Sequence, residues 1–341
     1  MELTTVWFII IAFLWTSYFF LEGFDFGVGM LLPVLGRDDT ERRVVINTIG
    51  PVWDGNEVWF IVAGAAMFAA FPEWYATLFS GFYLPLLAIL LALIVRGVAF
   101  EYRGKRDDPR WRARWDLAIF VGSLVPAFVW GVAFANIVRG VPLDARHEYA
   151  GTLADLLGPY ALLGGLTTTA LFVLHGAVFL ALKTSGGIRF RARRVASVAA
   201  VAAIASGGTF LLVTQFQQGK PVTWLTVAGA AAGLVLAAVA NRNGREGWAF
   251  VGTGAAIVLA VATLFLALFP DVMPSTTVAA HSLTTENASS SAYTLKIMTW
   301  VAAVFTPIVM IYQGWTYWVF RKRIGTAQIP AAKARKAEPV R

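Results

Sequence analysis

The chain contains no cysteine among its 341 residues, which excludes disulfides, thiolate metal sites, iron–sulfur clusters and thioether-attached haem. Histidine is nearly as scarce: there are three, and only His175, in LFVLHGAVFL, lies inside an apolar run, while His147 and His281 fall between runs. One histidine in a helix interior is more often a hydrogen-bonded packing residue than an axial ligand, so this chain is expected to ligate no haem and no metal. Charge is sparse too, at 14% of residues against 58% hydrophobic, with a mean hydropathy of +0.66. Soluble domains carry about 25% charged residues, and this balance therefore points to an integral membrane protein.

Apolar runs fill the sequence. A hydrocarbon layer of about 30 Å takes roughly 20 helical residues to cross, and runs of that order extend over Val6 to Leu35, Ile49 to Ala70, Ala76 to Phe100, Leu117 to Ile137, Leu156 to Leu182, Val195 to Val213, Val222 to Ala240, Trp248 to Phe269 and Ile297 to Phe320. Transmembrane strands would alternate apolar and polar residues, whereas these runs are apolar on every face, and backbone groups in lipid must be satisfied within the segment. The expected fold class is an all-α integral membrane protein with nine transmembrane helices. Residues 1–324 form its membrane domain, with pseudo-repeats over about 1–140 and 156–272 that make two four-helix bundles, a ninth, peripheral helix over about 297–320, and a flexible tail over 325–341. The first run lacks the basic start of a signal peptide, carries Glu2 instead and exceeds the length of such a segment, so it is expected to persist as the first helix.

Basic residues give an independent reading of topology, because short cytoplasmic loops carry an excess of Lys and Arg. Of the 28 basic residues, all but Arg96, Arg139, Arg146, Lys220 and Lys296 lie in the loops after the first, third, fifth and seventh runs or after the ninth. Those loops are therefore expected to be cytoplasmic, with the N-terminus outside and the C-terminus inside. The net charge of +8 then follows from topology and needs no nucleic-acid partner, which would call for basic residues gathered on one soluble face.

Acids inside apolar runs are expensive and mark function by default. The first run carries LEGFDFGVGML, placing Glu22 and Asp25 three apart on one helical face, while Gly23, Gly27 and Gly29 leave the helix thin enough for close packing. The second opens with GPVWDGNEVWF, where Asp54 and Glu57 repeat that spacing between Trp53 and Trp59. If the two runs form a symmetric hairpin about the turn GRDDTERR, Asp25 and Asp54 lie level and face each other. At about 1.5 Å per residue, Asp25 sits roughly 16 Å from the cytoplasmic end. The only intramembrane cation is Arg96. Burial and mutual repulsion disfavour the charged forms of such acids, and carboxyl groups that can exchange a proton near neutrality suit a proton relay.

Other readings stay open. Asp25 or Asp54 can pair with Arg96, or accept hydrogen bonds from Asn56, and merely fix helix packing. Arg96 can snorkel to the interface or hold the acids in geometry. Trp53, Asn56 and Trp59 can pack between helices, and Trp53 can contact a quinone-like ring. A secondary transporter would place charges at the interface of its two repeats, but here the second half offers only His175. A pure scaffold would tolerate both aspartates as asparagine.

The strings EGFDFGVGMLLPVLGRDDTERR, IGPVWDGNEVWF, FSGFYLPL, RGVAFEYR, GSLVPAFVWGVAFANIVRGVPL and MPSTTVAAHSLTTENASSSAYTLKIMTW together resemble subunit II of the bacterial cytochrome bd quinol oxidases, from the first run to the ninth. The resemblance implies a plasma-membrane complex that oxidises quinol, reduces dioxygen to water and takes protons from the cytoplasm. It implies subunit I as the partner, holding two b-type haems and one d-type haem, and it allows small accessory transmembrane subunits and a bound quinone. It further implies that Asp25 and Asp54 line a proton path, and Arg96 carries over with them; Glu22 and Glu57 stand at positions where the family is expected to vary. The polar stretch after the eighth run is longer than the roughly 12 to 15 residues beyond which loops are usually functional or disordered, and the resemblance across it implies an ordered role.

Overall fold

The computed structural model describes residues 2–329. Eleven α-helices account for most of them: α1 (Leu3–Leu35), α2 (Asp39–Ile49), α3 (Trp53–Ala70), α4 (Pro72–Gly81), α5 (Tyr83–Tyr102), α6 (Pro109–Arg139), α7 (Pro159–Lys183), α8 (Gly186–Gln218), α9 (Thr223–Arg242), α10 (Glu246–Leu268) and α11 (Ala292–Val319). Among the described residues, eight helices are long and apolar enough to cross a membrane: all except α2, α3 and α4. The second predicted run is taken up by α3, while the charged turn before it is itself helical, as α2, and Gly50 and Pro51 separate the two, so that α2 ends at Ile49 and α3 starts at Trp53. The 18 residues of α3 include Asp54, Asn56 and Glu57 near the start, which dilute its hydropathy. The third predicted run divides at Phe82. Pro85 sits just beyond, and a proline there offers no N–H and crowds the carbonyl four residues back.

The start of α6 follows capping chemistry more than hydropathy. The sixth helix begins eight residues before the apolar run because Asp108 accepts from the Arg110 N–H at 2.8 Å and Pro109 occupies the first helical position. Charged RWRARWD is thereby helical rather than loop. Arg191 donates to the Leu35 carbonyl at 2.9 Å, one of the otherwise orphan groups ending α1.

α1 lies at the centre, packed against α3, α6, α7 and α10, with α5 on α6 and the sequence α7, α8, α9, α10 folding back on itself. Close approach needs the glycines anticipated on α1. A Cβ on Gly27 would lie 2.0 Å from the Phe172 carbonyl, and one on Gly29 2.0 Å from Ser123 Oγ. Gly176 of α7 meets Gly27 from the other side, its Cβ position 2.5 Å from the Gly27 carbonyl carbon.

At the end bearing the basic loops, ion pairs fasten short elements to long ones. Arg103 pairs with Asp116 at 2.5 Å and with Asp39 at 2.9 Å, and Arg42 reaches Asp116 at 2.9 Å, tying α2 to α5 and α6. Arg189 reaches Glu246 at 2.7 Å and Arg323 approaches it at 3.5 Å. Ile324 bridges to Thr184, and Thr326–Gln328 form a 3₁₀ turn, so the first residues assigned to a flexible tail are folded onto the α7–α8 turn. The remainder of that stretch, 330–341, lies outside the described residues.

At the opposite end, the long polar loop is ordered: β1 (Asp271–Met273) pairs antiparallel with β2 (Leu283–Thr284), and Val272, Met273 and Leu283 are buried. It packs on the loop after α6, where Val141 N–H donates to the Pro274 carbonyl at 3.0 Å and Thr277 Oγ1 to the Leu143 carbonyl at 2.7 Å. Within that second loop, the N–H groups of Arg146 and Glu148 both donate to Asp144 and hold its carboxyl below the usual carboxylate range.

Replacing Gly27 by valine drives a side chain into the α7 backbone and should destabilise the chain by on the order of 3 kcal/mol. Thermal unfolding of the detergent-solubilised protein checks this: a clear drop in Tm is expected for Gly27→Val and little change for Gly247→Ala, whose Cβ position is open.

Candidate functional site

Because α1 is enclosed on several sides, its acids cannot turn to solvent, and Glu22 and Asp25 are both wholly buried. Arg96 of α5 is equally buried and forms an ion pair with Glu22 Oε1 through Nη1. Gly122 of α6 makes space for it, since a Cβ there would come within 2.7 Å of Arg96 Cβ. The guanidinium also lies over the rings of Phe26 and Phe100, at 4.8 and 5.5 Å, in the geometry of cation–π attraction. Arg96 therefore holds an acid in place and does not snorkel.

Asp25 Oδ2 accepts a 2.7 Å hydrogen bond from Asn56 Nδ2. The Asn56 Oδ1 in turn accepts from Tyr317 Oη at 2.7 Å and from Gln313 Nε2 at 2.9 Å. Among the described residues, Glu22 Oε2, Asp25 Oδ1, Arg96 Nε and Arg96 Nη2 find no hydrogen-bond partner. Two carboxylates have no proton to offer each other, but a proton on either acid lets Glu22 and Asp25 bond directly. Buried polar atoms without partners cost about 1–3 kcal/mol each, so the cluster carries groups with capacity for further hydrogen bonds.

The expected face-to-face pair of Asp25 and Asp54 is corrected by the structure. Successive helical residues rotate by about 100°, which puts Asn56 on nearly the opposite side of α3 from Asp54. Asn56 meets Asp25, while Asp54 is exposed in the first turn of α3, its Oδ1 accepting from the Gly55 N–H at 2.7 Å. The break at Gly50 and Pro51 also removes the simple hairpin on which the pairing rested. Glu57 is partly buried and lies within the electrostatic reach of Glu22, Arg96 and Asp54. Trp53 packs on Phe100, ring centroids 5.0 Å apart, and Trp59 on Phe13 at 5.9 Å.

Three cluster residues escaped the sequence reading. Tyr18 is fully buried and accepts from Trp130 Nε1 at 3.1 Å; its place one helical turn before Glu22 was a usable signal. Gln313 and Tyr317 come from α11, at the far end of the chain, and no local spacing links them to Asn56. His175 behaves as the packing residue expected. Its Nε2 contacts the Phe20 carbonyl at 3.2 Å, its Nδ1 contacts Thr253 Oγ1 at 2.7 Å, and its ring stacks on Phe250. Both ring nitrogens of His175 are thus engaged within the helix packing.

A multi-span, all-helical membrane protein with a buried carboxyl and arginine cluster against its central helix is the class that fold and site define. Residues 3–320 match the family model of cytochrome bd terminal oxidase subunit II. The chain is 45% identical over 332 residues to cytochrome bd ubiquinol oxidase subunit 2 of Bacillus subtilis, covering 95% of this chain and 97% of that protein. It is 38% identical over 357 residues to cytochrome bd-I ubiquinol oxidase subunit 2 of Escherichia coli K12, covering 94% of each. The chain belongs to the cytochrome bd terminal oxidase subunit II family. The fold is also similar to a chain in the structure of the bd oxidase from Geobacillus thermodenitrificans, with a TM-score of 0.75, 16% identity, and coverage of 94% of this chain and 100% of that one.

Removing one partner of a buried ion pair costs about 3–5 kcal/mol. Arg96→Gln is thus expected to lower thermal stability strongly, and adding Glu22→Gln to it should recover part of the loss. A double-mutant cycle on Tm measures this, and strict additivity of the two changes would contradict the pairing.

Proposed function

We propose that this chain is the proton-delivering partner of a haem-bearing subunit I, in a bacterial plasma-membrane complex that oxidises quinol and reduces dioxygen to water. Family membership and relatives named as ubiquinol oxidase subunits support the complex. In this reading the two b-type haems and the d-type haem reside in subunit I, where they supply electron transfer and oxygen reduction. The residues of this chain handle protons.

The observation that carries the proton path is a gradient of burial among four acids. Asp54 is exposed, Glu57 is partly buried, and Asp25 and Glu22 are wholly buried. A proton taken up at Asp54 passes by Glu57 to the Glu22–Asp25 pair. Arg96 balances one negative charge there, and the second carboxyl holds a proton, because an uncompensated buried charge is too costly to persist. Arrival of a further proton, or departure of the resident one, changes which acid is ionised while Arg96 keeps the cluster in place.

The ninth crossing in this reading is α3, whose polar start opens onto the cytoplasmic side where the basic loops lie. The N-terminus is then outside and the C-terminus inside, and α1 with α3, α5 and α6, and α7 to α10, form the two bundles, with α11 peripheral. Apolar surface left uncovered on α3 and α11 faces subunit I, accessory subunits and lipid. A quinone held by this chain would find its apolar space in the cavity of about 240 Å³ between α7, α8, α9 and α10, lined by residues such as Leu171, Leu211 and Leu234, rather than at Trp53. A transporter reading is disfavoured, as the acids stay in the first half and His175 is fully bonded.

Oxygen uptake by the purified complex tests the path. Asp25→Asn should slow turnover on the order of a hundredfold with haem content preserved, and Asp54→Asn should slow it less, since an exposed acid can be replaced by water. Unchanged turnover in Asp25→Asn would contradict proton delivery through this chain, and loss of haem would favour a scaffold.

A further inference from the structure

α11 is the least buried of the long helices, with Leu295 alone of its residues buried, yet it sends two polar side chains inward to one atom. Gln313 Nε2 and Tyr317 Oη both donate to Asn56 Oδ1, at 2.9 and 2.7 Å. They are four residues apart and hence on the same face of the helix. An asparagine amide can be turned either way, and the one that faces a carboxylate must present its N–H₂ group. Two donors on Oδ1 settle that choice from behind: with both lone pairs of Oδ1 occupied, Nδ2 alone is left for Asp25.

We propose that Gln313 and Tyr317 are positioning residues of the proton path, locking the Asn56 amide so that it engages Asp25 Oδ2 and leaves Asp25 Oδ1 as the oxygen that exchanges a proton with Glu22. This rests on the proton path proposed above. Asn56 is wholly buried and Asp25 Oδ1 has no hydrogen-bond partner among the described residues, so the oxygen left over is the one available for transfer. Without the two donors, the Asn56 amide can turn. Its Oδ1 then accepts from a protonated Asp25 and holds the proton on the side away from Glu22.

The test uses the intact oxidase complex carrying Tyr317→Phe, Gln313→Leu, the double variant, or Asp25→Asn, with Tyr312→Phe as the control because its side chain is exposed on the same helix. Turnover per haem and its solvent deuterium isotope effect are measured for each. Positioning predicts that either single change slows turnover a few-fold and the double change about tenfold, the scale of one hydrogen bond to a charged group. It also predicts that the isotope effect rises as proton transfer becomes limiting, while Tyr312→Phe is unchanged. If Asp25→Asn is slow but the double variant keeps full turnover and an unchanged isotope effect, the positioning role is overturned and the path stands. If the double variant loses complex yield with turnover per haem and isotope effect unchanged, the contacts are purely structural and the proposal fails. Full turnover in both Asp25→Asn and the double variant would overturn path and positioning together.

Discussion

The ion pair between Glu22 and Arg96 is the constraint around which this chain is arranged. Both groups are taken fully out of solvent, and attraction in a poorly polarisable interior offsets the desolvation only where geometry is good and remaining hydrogen-bonding groups find partners. Much of the local structure serves the geometry of the pair. Gly122 clears room for the Arg96 side chain, Phe26 and Phe100 present ring faces to the guanidinium, and the glycines of α1 let α6 and α7 close tightly over the acids. A second acid, Asp25, then shares the site with a single cation. In the proposed proton path, that excess of carboxyl over positive charge is what lets a packing device hold and pass a proton.

Asn56 links the cluster to the periphery: it hydrogen-bonds both Asp25 on the central helix and the two inward-facing polar residues of α11. α11 is anchored further at its ends. Trp7 Nε1 donates to the Leu295 carbonyl at 3.2 Å and to Thr299 Oγ1 at 3.0 Å, and Lys183 donates to the Phe320 carbonyl near the other end. Between these anchors most of its apolar surface is uncovered, so a helix bonded to the carboxyl cluster presents an open apolar face.

Much of this was legible in the sequence, and the exceptions have physical causes. Apolar runs marked the long helices because lipid imposes a length and an all-round hydrophobicity. Their boundaries were less visible, since caps such as Asp108 with Pro109 extend a helix into charged sequence that hydropathy assigns to loops. The break at Phe82 fell inside a run whose composition stayed apolar, and α2 formed from charged sequence read as a turn. Glu22, Asp25 and Arg96 stood out as charges in lipid-like surroundings, and the glycines of GFDFGVG as close-packing positions. The partner of Asp25 was misread because spacing drew attention to the acids of WDGNE. The side of α3 that meets α1 is set by tertiary packing, and it selects Asn56. Gln313 and Tyr317, separated from Asn56 by more than 250 residues, carry no local signature at all.

The most direct measurement of the central claim is the infrared difference spectrum of the oxidase complex between resting and reduced states, in the carboxylic acid C=O region, for wild type, Glu22→Gln, Asp25→Asn and Asp54→Asn. A proton shared by the buried pair gives a carboxylic acid band that shifts in deuterium oxide. The account predicts that this band is lost in Asp25→Asn, lost or displaced in Glu22→Gln, and retained in Asp54→Asn. A spectrum that is the same in wild type, Glu22→Gln and Asp25→Asn would show that the pair carries no exchanging proton and would contradict the account.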